Sequence, residues 1–225
     1  MPSLETIFFD VGNTLCFPNH ERILKPLRDR QLSVTSEQWS ALERKTKLEF
    51  DDVIEHGLRL DHGFWYMFYT HLLGDLKVAD DALRDELVAA TRDSSNWDVV
   101  RPGTCDVLER IGNRYRIAVI SNADGKIEQL LQRCGIARCF LSITDSGIVG
   151  KEKPDPIIFH AALEAMNADP AKSLYVGDVC SVDYLGATRA GMQAVLFDVA
   201  GAYRDNGFPR VESLEELENR LNGRS

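Results

Sequence analysis

Five short apolar runs constrain the fold of this chain more than any other feature. They occupy residues 6–10, 116–122, 141–145, 173–178 and 194–198. All are rich in β-forming residues and apolar without alternation. A strand with one wet face alternates; a strand buried on both faces does not. Between the runs lie segments with apolar residues at helical spacing: 103–113, with Val107, Leu108 and Ile111, then 126–134, 156–166 and 182–190. This alternation predicts a doubly wound α/β domain with a mainly parallel, Rossmann-like sheet of five or more strands. A last helix over LEELENRL is expected, with Ser213 as its cap.

Residues 17–95 break the rhythm and show helical patterns only. Thr35 and Gln38 have capping-box spacing, and Trp39, Leu42, Phe50 and Ile54 follow at helix-like intervals. A further helix at 82–91 carries Leu83, Leu87 and Val88. The expected organisation is a core of 1–16 and 96–225 with an all-helical insert at 17–95. Residues 97–103 form the return linker. The aromatic cluster Phe64, Trp65, Tyr66, Phe68 and Tyr69 reads as the core of the insert rather than a ligand site.

At 225 residues there is room for one full domain and a small second one. The net charge of −9 and the absence of a Lys/Arg run argue against nucleic acid and anionic membranes as partners. No apolar run approaches the roughly 20 residues of a membrane helix. The opening Met1-Pro2-Ser3-Leu4-Glu5 lacks the basic-then-apolar pattern of a secretion signal. Five cysteines, an odd number without a CxxC, suggest neither a disulfide framework nor a zinc site. A cytoplasmic protein with reduced thiols is expected, as a monomer or homodimer.

Open α/β sheets bind ligands beyond the carboxyl ends of their strands. The first run ends in Asp10 and the second in Ser121-Asn122. The third leads to a loop with Lys151 and Lys153. The fourth ends in Gly177-Asp178, with Asp183 five residues on. Singly these are helix caps, turns and solvated lysines. Together, three carboxylates at one sheet edge repel unless a cation sits among them, and hard oxygen donors suit Mg²⁺. A Ser hydroxyl, backbone N–H groups and a Lys offer donors to a phosphate.

The order and spacing of these residues resemble the haloacid dehalogenase superfamily of hydrolases. The matching stretches are DVGNT from Asp10 to Thr14, SNAD from Ser121, KEKPDP with Lys153, and GDVCSVD with Asp178 and Asp183. The helical insert matches the family's helical cap. The resemblance implies a Mg²⁺-dependent phosphatase of a small phosphorylated metabolite. Asp10 is then the nucleophile that forms an aspartyl-phosphate. Ser121 and Lys153 bind the phosphoryl oxygens, with Asn13 and Asn122 beside them. Asp10, the Gly12 carbonyl and Asp178 hold the metal, and Asp183 supports it directly or through water.

Gly12 departs from the pattern. Phosphatases of this family have at that position an Asp, which protonates the leaving oxygen; such general acid–base help is worth roughly 10²–10⁴-fold. Four readings stand. The substrate has a good leaving group, such as an acyl phosphate, an aryl phosphate or an anhydride. Another acid acts, such as His20, Glu21 or the substrate itself. The chemistry differs, as in phosphonate cleavage, which needs a Schiff-base lysine in the cap, with Lys25, Lys45 and Lys47 as candidates in name only; GDVCSVD speaks against dehalogenation. Or the protein is a weak enzyme or a non-catalytic phosphate- and metal-binding regulator. For the glycine itself, a turn with positive φ is the plain structural reason.

Overall fold

The computed structural model describes residues 4–56 and 63–223; Met1-Pro2-Ser3 lies outside them. Strand β1 (Thr6–Phe9) leads into helices α1 (His20–Ile23), α2 (Lys25–Asp29), α3 (Ser36–Glu55), α4 (Gly63–Asp75) and α5 (Asp81–Arg92). The chain returns through α6 (Thr104–Gly112), β2 (Arg116–Ser121), α7 (Ile127–Arg133), β3 (Ile143–Asp145) and α8 (Ser146–Val149). It ends with α9 (Pro156–Ala165), β4 (Ser173–Gly177), α10 (Leu185–Arg189), β5 (Gln193–Phe197), β6 (Arg210–Val211) and α11 (Leu214–Leu221).

The six described strands form one parallel sheet in the order β3-β2-β1-β4-β5-β6. The short edge strand β6 went unread in the sequence, because two residues carry no periodicity. Alternate residues of a strand face opposite sides, and both sides here are covered. Ile7 and Phe9 join a core with Val107, Leu108 and Leu130 from α6 and α7. Phe8 faces the other way, onto Ile158, Phe159 and Ala162 of α9. Layers on both faces explain why β1 and β4 are buried throughout and why their sequences do not alternate.

Chain order reverses direction across the sheet between β1 and β4, which leaves a crevice at their carboxyl ends. Asp10 and Asp178 follow those two strands. Asp183 was expected early in a helix. It lies instead in a wider π-type turn, Cys180–Tyr184, that precedes α10.

Helices α1–α5 pack around their own cluster, including Ile23, Trp39, Phe68, Tyr69 and Leu87. Helix α3 begins with the Thr35/Gln38 capping box, both reciprocal bonds being made. Ser213 caps α11 by accepting from the Glu216 N–H. Among the described residues, no helix is long and apolar enough to cross a membrane.

Candidate active site

Lys153 is the hub of the crevice. Its ammonium donates to Asp10 Oδ1 at 2.6 Å, to Asp183 Oδ1 at 2.7 Å and to the Tyr175 hydroxyl at 2.7 Å. Three protons meet three acceptors, so the cation is fully engaged although it is almost wholly buried. Burial alone would lower its pKa, but Asp10 and Asp183 hold it above the ordinary lysine value. Asn122 fixes the backbone that presents it. The Asn122 amide donates to the Lys153 carbonyl at 2.9 Å and accepts from the Lys153 N–H at 2.7 Å.

Asp183 is equally committed. Its Oδ1 accepts from Lys153 and lies 3.1 Å from the Tyr175 hydroxyl. Its Oδ2 accepts from the N–H groups of Asp178 and Val179 at 3.1 and 3.0 Å. Gly177 permits this close approach: a Cβ there would lie 2.5 Å from Asp183 Cγ. Asp183 therefore holds the loop that carries Asp178. Oxygen atoms of Asp10, Asp178 and Asp183 lie within 4.8 Å of one another, all three residues buried.

A second lysine enters from the helical side. Lys47, on α3 and 1% exposed, donates to Asp178 Oδ2 and to Glu43, both at 2.8 Å. One turn on, Asp51 accepts from the Ser181 N–H at 2.8 Å and from the Tyr203 hydroxyl at 2.8 Å. Glu43, Lys47 and Asp51 form a stripe at i, i+4, i+8 that plugs α3 into the loop after β4. The stripe lies one position round the helix from the apolar series Trp39, Leu42, Thr46 and Phe50. That adjacency was the signal available in the sequence, and charge at helical spacing usually marks a solvated face.

Three buried carboxylates and two ammonium groups leave the crevice short of positive charge. Burial, with Asp183 and Asp178 close by, pushes Asp10 up to about 7 although Lys153 opposes it. Burial likewise pushes Asp178 up to about 6, against the pull of Lys47. Clustered hard oxygen donors with excess negative charge fit a divalent cation such as Mg²⁺.

Above this floor opens a cavity of about 850 Å³. Asp10, Gly12, Asn13, Ser121, Lys153 and Asp178 line it. Neither His20 nor Glu21 is among its described lining residues. His20 packs on the Trp39 ring at 4.4 Å, and Glu21 is exposed. The carboxyl groups on the wall are Asp124 and Glu152. Burial raises Asp124, but Ser94 and the Lys126 ammonium hold it below the ordinary range, in the form that donates no proton.

Two expectations are corrected here. Positive φ falls at Asn13, at 53°, and not at Gly12; a Cβ on Gly12 would meet the Trp97 ring at 3.5 Å, an ordinary contact. The aromatic cluster also splits. Phe68 and Tyr69 are fully buried in the helical core; Phe64, Trp65 and Tyr66 pack against that core as expected, but Phe64 and Trp65 also line the cavity with Phe50 and Trp97. Tyr175, in the middle of β4, was overlooked because it reads as one more strand aromatic.

A model of the haloacid dehalogenase-like hydrolases matches residues 4–191. The chain belongs to that family. A glyceraldehyde 3-phosphate phosphatase of Methanothermobacter thermautotrophicus is 32% identical to this hydrolase over 211 residues, 90% of either chain. The haloacid dehalogenase-like hydrolase domain-containing protein 3 of Bos taurus is 34% identical over 154 residues. That match takes in 65% of this chain and spans 59% of the bovine protein. Among solved structures, the putative HAD-hydrolase YfnB of Bacillus subtilis, bound to magnesium, superposes with a TM-score of 0.72 at 18% identity. It covers 98% of this chain and 99% of its own. A HAD phosphatase of Thermococcus onnurineus gives 0.60 at 20% identity, covering 98% and 99%. At such identities the likeness is one of fold.

Proposed function

We propose that this hydrolase is a Mg²⁺-dependent phosphatase of a small phosphorylated metabolite in the cytoplasm, acting through an aspartyl-phosphate on Asp10. The observation that carries the reading is the buried constellation of Asp10, Asp178 and Asp183 around Lys153, opening with Ser121 onto one cavity. The name of the relative from Methanothermobacter, itself a phosphatase, supports it.

Asp10 attacks phosphorus, dividing one difficult displacement into two easier ones. Ser121 meets the phosphoryl oxygens, where charge redistributes in the transition state, and Lys153 joins it by turning one of its three protons from Asp10, Asp183 or Tyr175 to the phosphate. Asp10, the Gly12 carbonyl and Asp178 would hold the Mg²⁺, which supplies charge neutralisation of the phosphoryl dianion. Asp183, with four donors already on its two oxygens, acts on the metal shell indirectly by fixing the Asp178 loop. Asn122 positions Lys153, and Asn13 borders the phosphate site. Helices within 17–95 serve as a cap over the core of 1–16 and 96–225.

None of Lys25, Lys45 and Lys47 is among the described residues that line the cavity, which speaks against Schiff-base chemistry. Lys25 is exposed and paired with Asp29, and Lys45 is exposed. Lys47 lies behind Asp178, and Asp178 and Glu43 keep it protonated against the effect of burial.

The test is phosphate release from acetyl phosphate and glycerol phosphate, with Mg²⁺ or with EDTA, using Asp10→Asn as the blank. Turnover that needs both Mg²⁺ and Asp10 is expected. Absence of turnover on both compounds would overturn the phosphatase reading.

A further inference from the structure

Beside the position where a second acid would stand in this site, there is an aromatic ring. The Trp97 indole covers the side-chain direction of Gly12, with Cζ3 at 3.5 Å and Cε3 and Cη2 at 3.8 Å from the Cβ position. Its N–H, the ring's one donor, is taken by the Thr91 carbonyl at 2.7 Å. From Trp97 a chain of rings runs along the cavity. Trp65 lies 5.5 Å from Trp97 at 61°, Phe64 lies 5.0 Å from Trp65 at 90°, and Phe50 lies 5.5 Å from Phe64 at 76°. These edge-to-face and tilted geometries are the favoured ones for aromatic packing. All four rings line the same cavity as Asp10 and Lys153, and Phe64 and Trp65 are only half-buried.

We propose that the substrates are aryl phosphate monoesters, whose ring seats against Trp97, Trp65, Phe64 and Phe50. The inference rests on the phosphatase reading and narrows it. Two independent features select the same leaving group. The first is chemical. A phenolate has a conjugate acid near pKa 10, as tyrosine does, and departs without a proton. An alkoxide, whose conjugate acid is closer to the ~15.7 of water, needs one, and Gly12 has none to give. The second is spatial. Hydroxyl groups of a sugar or polyol turned to these rings would lose their hydrogen bonds to water, whereas an aryl ring is at home against them; Arg92, Ser94, Asp124 and Glu152 line the cavity as well. An acyl phosphate or an anhydride satisfies the first condition but makes no use of the rings.

The step balances without a further reagent. An Asp10 oxygen forms the new bond to phosphorus. The P–O bond to the ring breaks, and its electron pair leaves with the phenolate oxygen, which takes a proton from solvent. Water then cleaves the aspartyl-phosphate, which returns Asp10 and releases inorganic phosphate.

The experiment is steady-state hydrolysis of phenyl phosphate, acetyl phosphate and glyceraldehyde 3-phosphate in MgCl₂, with Asp10→Asn as the blank. Alongside it, binding of phenylphosphonate and methylphosphonate is compared by calorimetry. Phenyl phosphate is expected to exceed glyceraldehyde 3-phosphate in kcat/KM by about 10²-fold or more, the lower bound of general-acid help. Across ring-substituted phenyl phosphates, kcat/KM falls steeply as the phenol pKa rises. Phenylphosphonate binds at least about tenfold tighter than methylphosphonate, as burial of a ring requires. Trp65→Ala raises KM for phenyl phosphate about tenfold more than KM for acetyl phosphate. Equal kcat/KM for the aryl and alkyl esters, or equal binding of the two phosphonates, overturns the aryl assignment. Acetyl phosphate turnover that needs Asp10 would still uphold the phosphatase. No Asp10-dependent turnover of any ester overturns both.

Discussion

The floor and the wall of the cavity are built on opposite principles. The floor, at the carboxyl ends of β1 and β4, is a lattice of ions in which Lys153 and Asp183 have every hydrogen bond taken. The wall carries a run of rings beside Arg92, Asp124 and Glu152, and the donor of the ring against Gly12 is already used. A rigid ionic floor costs little reorganisation when charge moves, so it determines the class of reaction. The aromatic part of the wall contributes nothing to that step and, on the aryl proposal, selects the ester. Changes on the floor should therefore affect all phosphate esters alike, and changes on the wall should affect them unequally.

The largest effect tests the floor. Asp10→Asn removes the nucleophile and leaves the volume almost unchanged. Turnover of every ester is expected to fall by at least about 10³-fold, as when a nucleophile is deleted from an acting unit. An asparagine variant that retained turnover on one ester would assign that activity to a group other than Asp10.

The floor was also the half most legible in the sequence. Asp10, Ser121 and Asp178 sit at strand ends, with Asp183 in the turn after β4 and Lys153 in the loop beyond α8, and buried parallel strands announce themselves by unbroken apolar runs. Fold topology then brings the ends together, so a one-dimensional pattern was enough. The wall was not legible, for a physical reason. Phe50, Phe64, Trp65 and Trp97 come from α3, α4 and the returning segment. Nothing in the period of a helix says whether an aromatic faces its own bundle alone, as Phe68 does, or the cavity as well, as Trp65 does. Lys47 and Asp51 were hidden in the same way. A charged pair at i, i+4 reads as a wet face, and only tertiary packing shows that it is buried against Asp178 and Ser181.

Lys47→Met attacks the floor from behind without touching the cavity wall. It leaves Asp178 and Glu43 buried without their shared cation. Removal of one partner from a buried pair costs about 3–5 kcal/mol. Urea unfolding in EDTA should show that loss. Mg²⁺ should then stabilise the variant more than the wild type, because it relieves the carboxylate that Lys47 relieved before. Equal stabilisation by Mg²⁺ would show that Lys47 and the metal act on Asp178 independently.

Gly12→Asp joins the two halves by placing a proton donor where floor meets wall. Its Cβ fits at ordinary contact distance from Trp97. The expected result is a gain of roughly 10-fold or more on glyceraldehyde 3-phosphate, with little change on phenyl phosphate. The leaving-group dependence then flattens. Equal gains on both esters would mean that the proton matters to the second step, the hydrolysis of the aspartyl-phosphate, rather than to departure of the alcohol.

The smallest effect is one of pH on the metal-free protein. Asp10 ionises near 3.8 in an unfolded chain and is pushed up to about 7 in the fold by burial. Asp178 is raised in the same way, to about 6. Between roughly pH 4 and pH 7 the folded protein holds protons that the unfolded chain has released, so stability falls as pH rises and levels off above about 7. In EDTA the Tm is expected to drop from pH 5 to pH 8, by about 2–4 °C for each kcal/mol lost. Mg²⁺ binds the ionised carboxylates, so its stabilisation grows with pH and flattens the profile. Asp10→Asn removes one titrating group and reduces the slope in EDTA. Trp65→Ala, by contrast, shifts the whole profile without changing its slope, because the ring has no proton to exchange. A Tm that stayed flat with pH in EDTA would mean that both carboxylates are already ionised at pH 5. The two lysines would then balance the floor unaided, and its demand for a divalent cation would have to come from the phosphate and not from the protein.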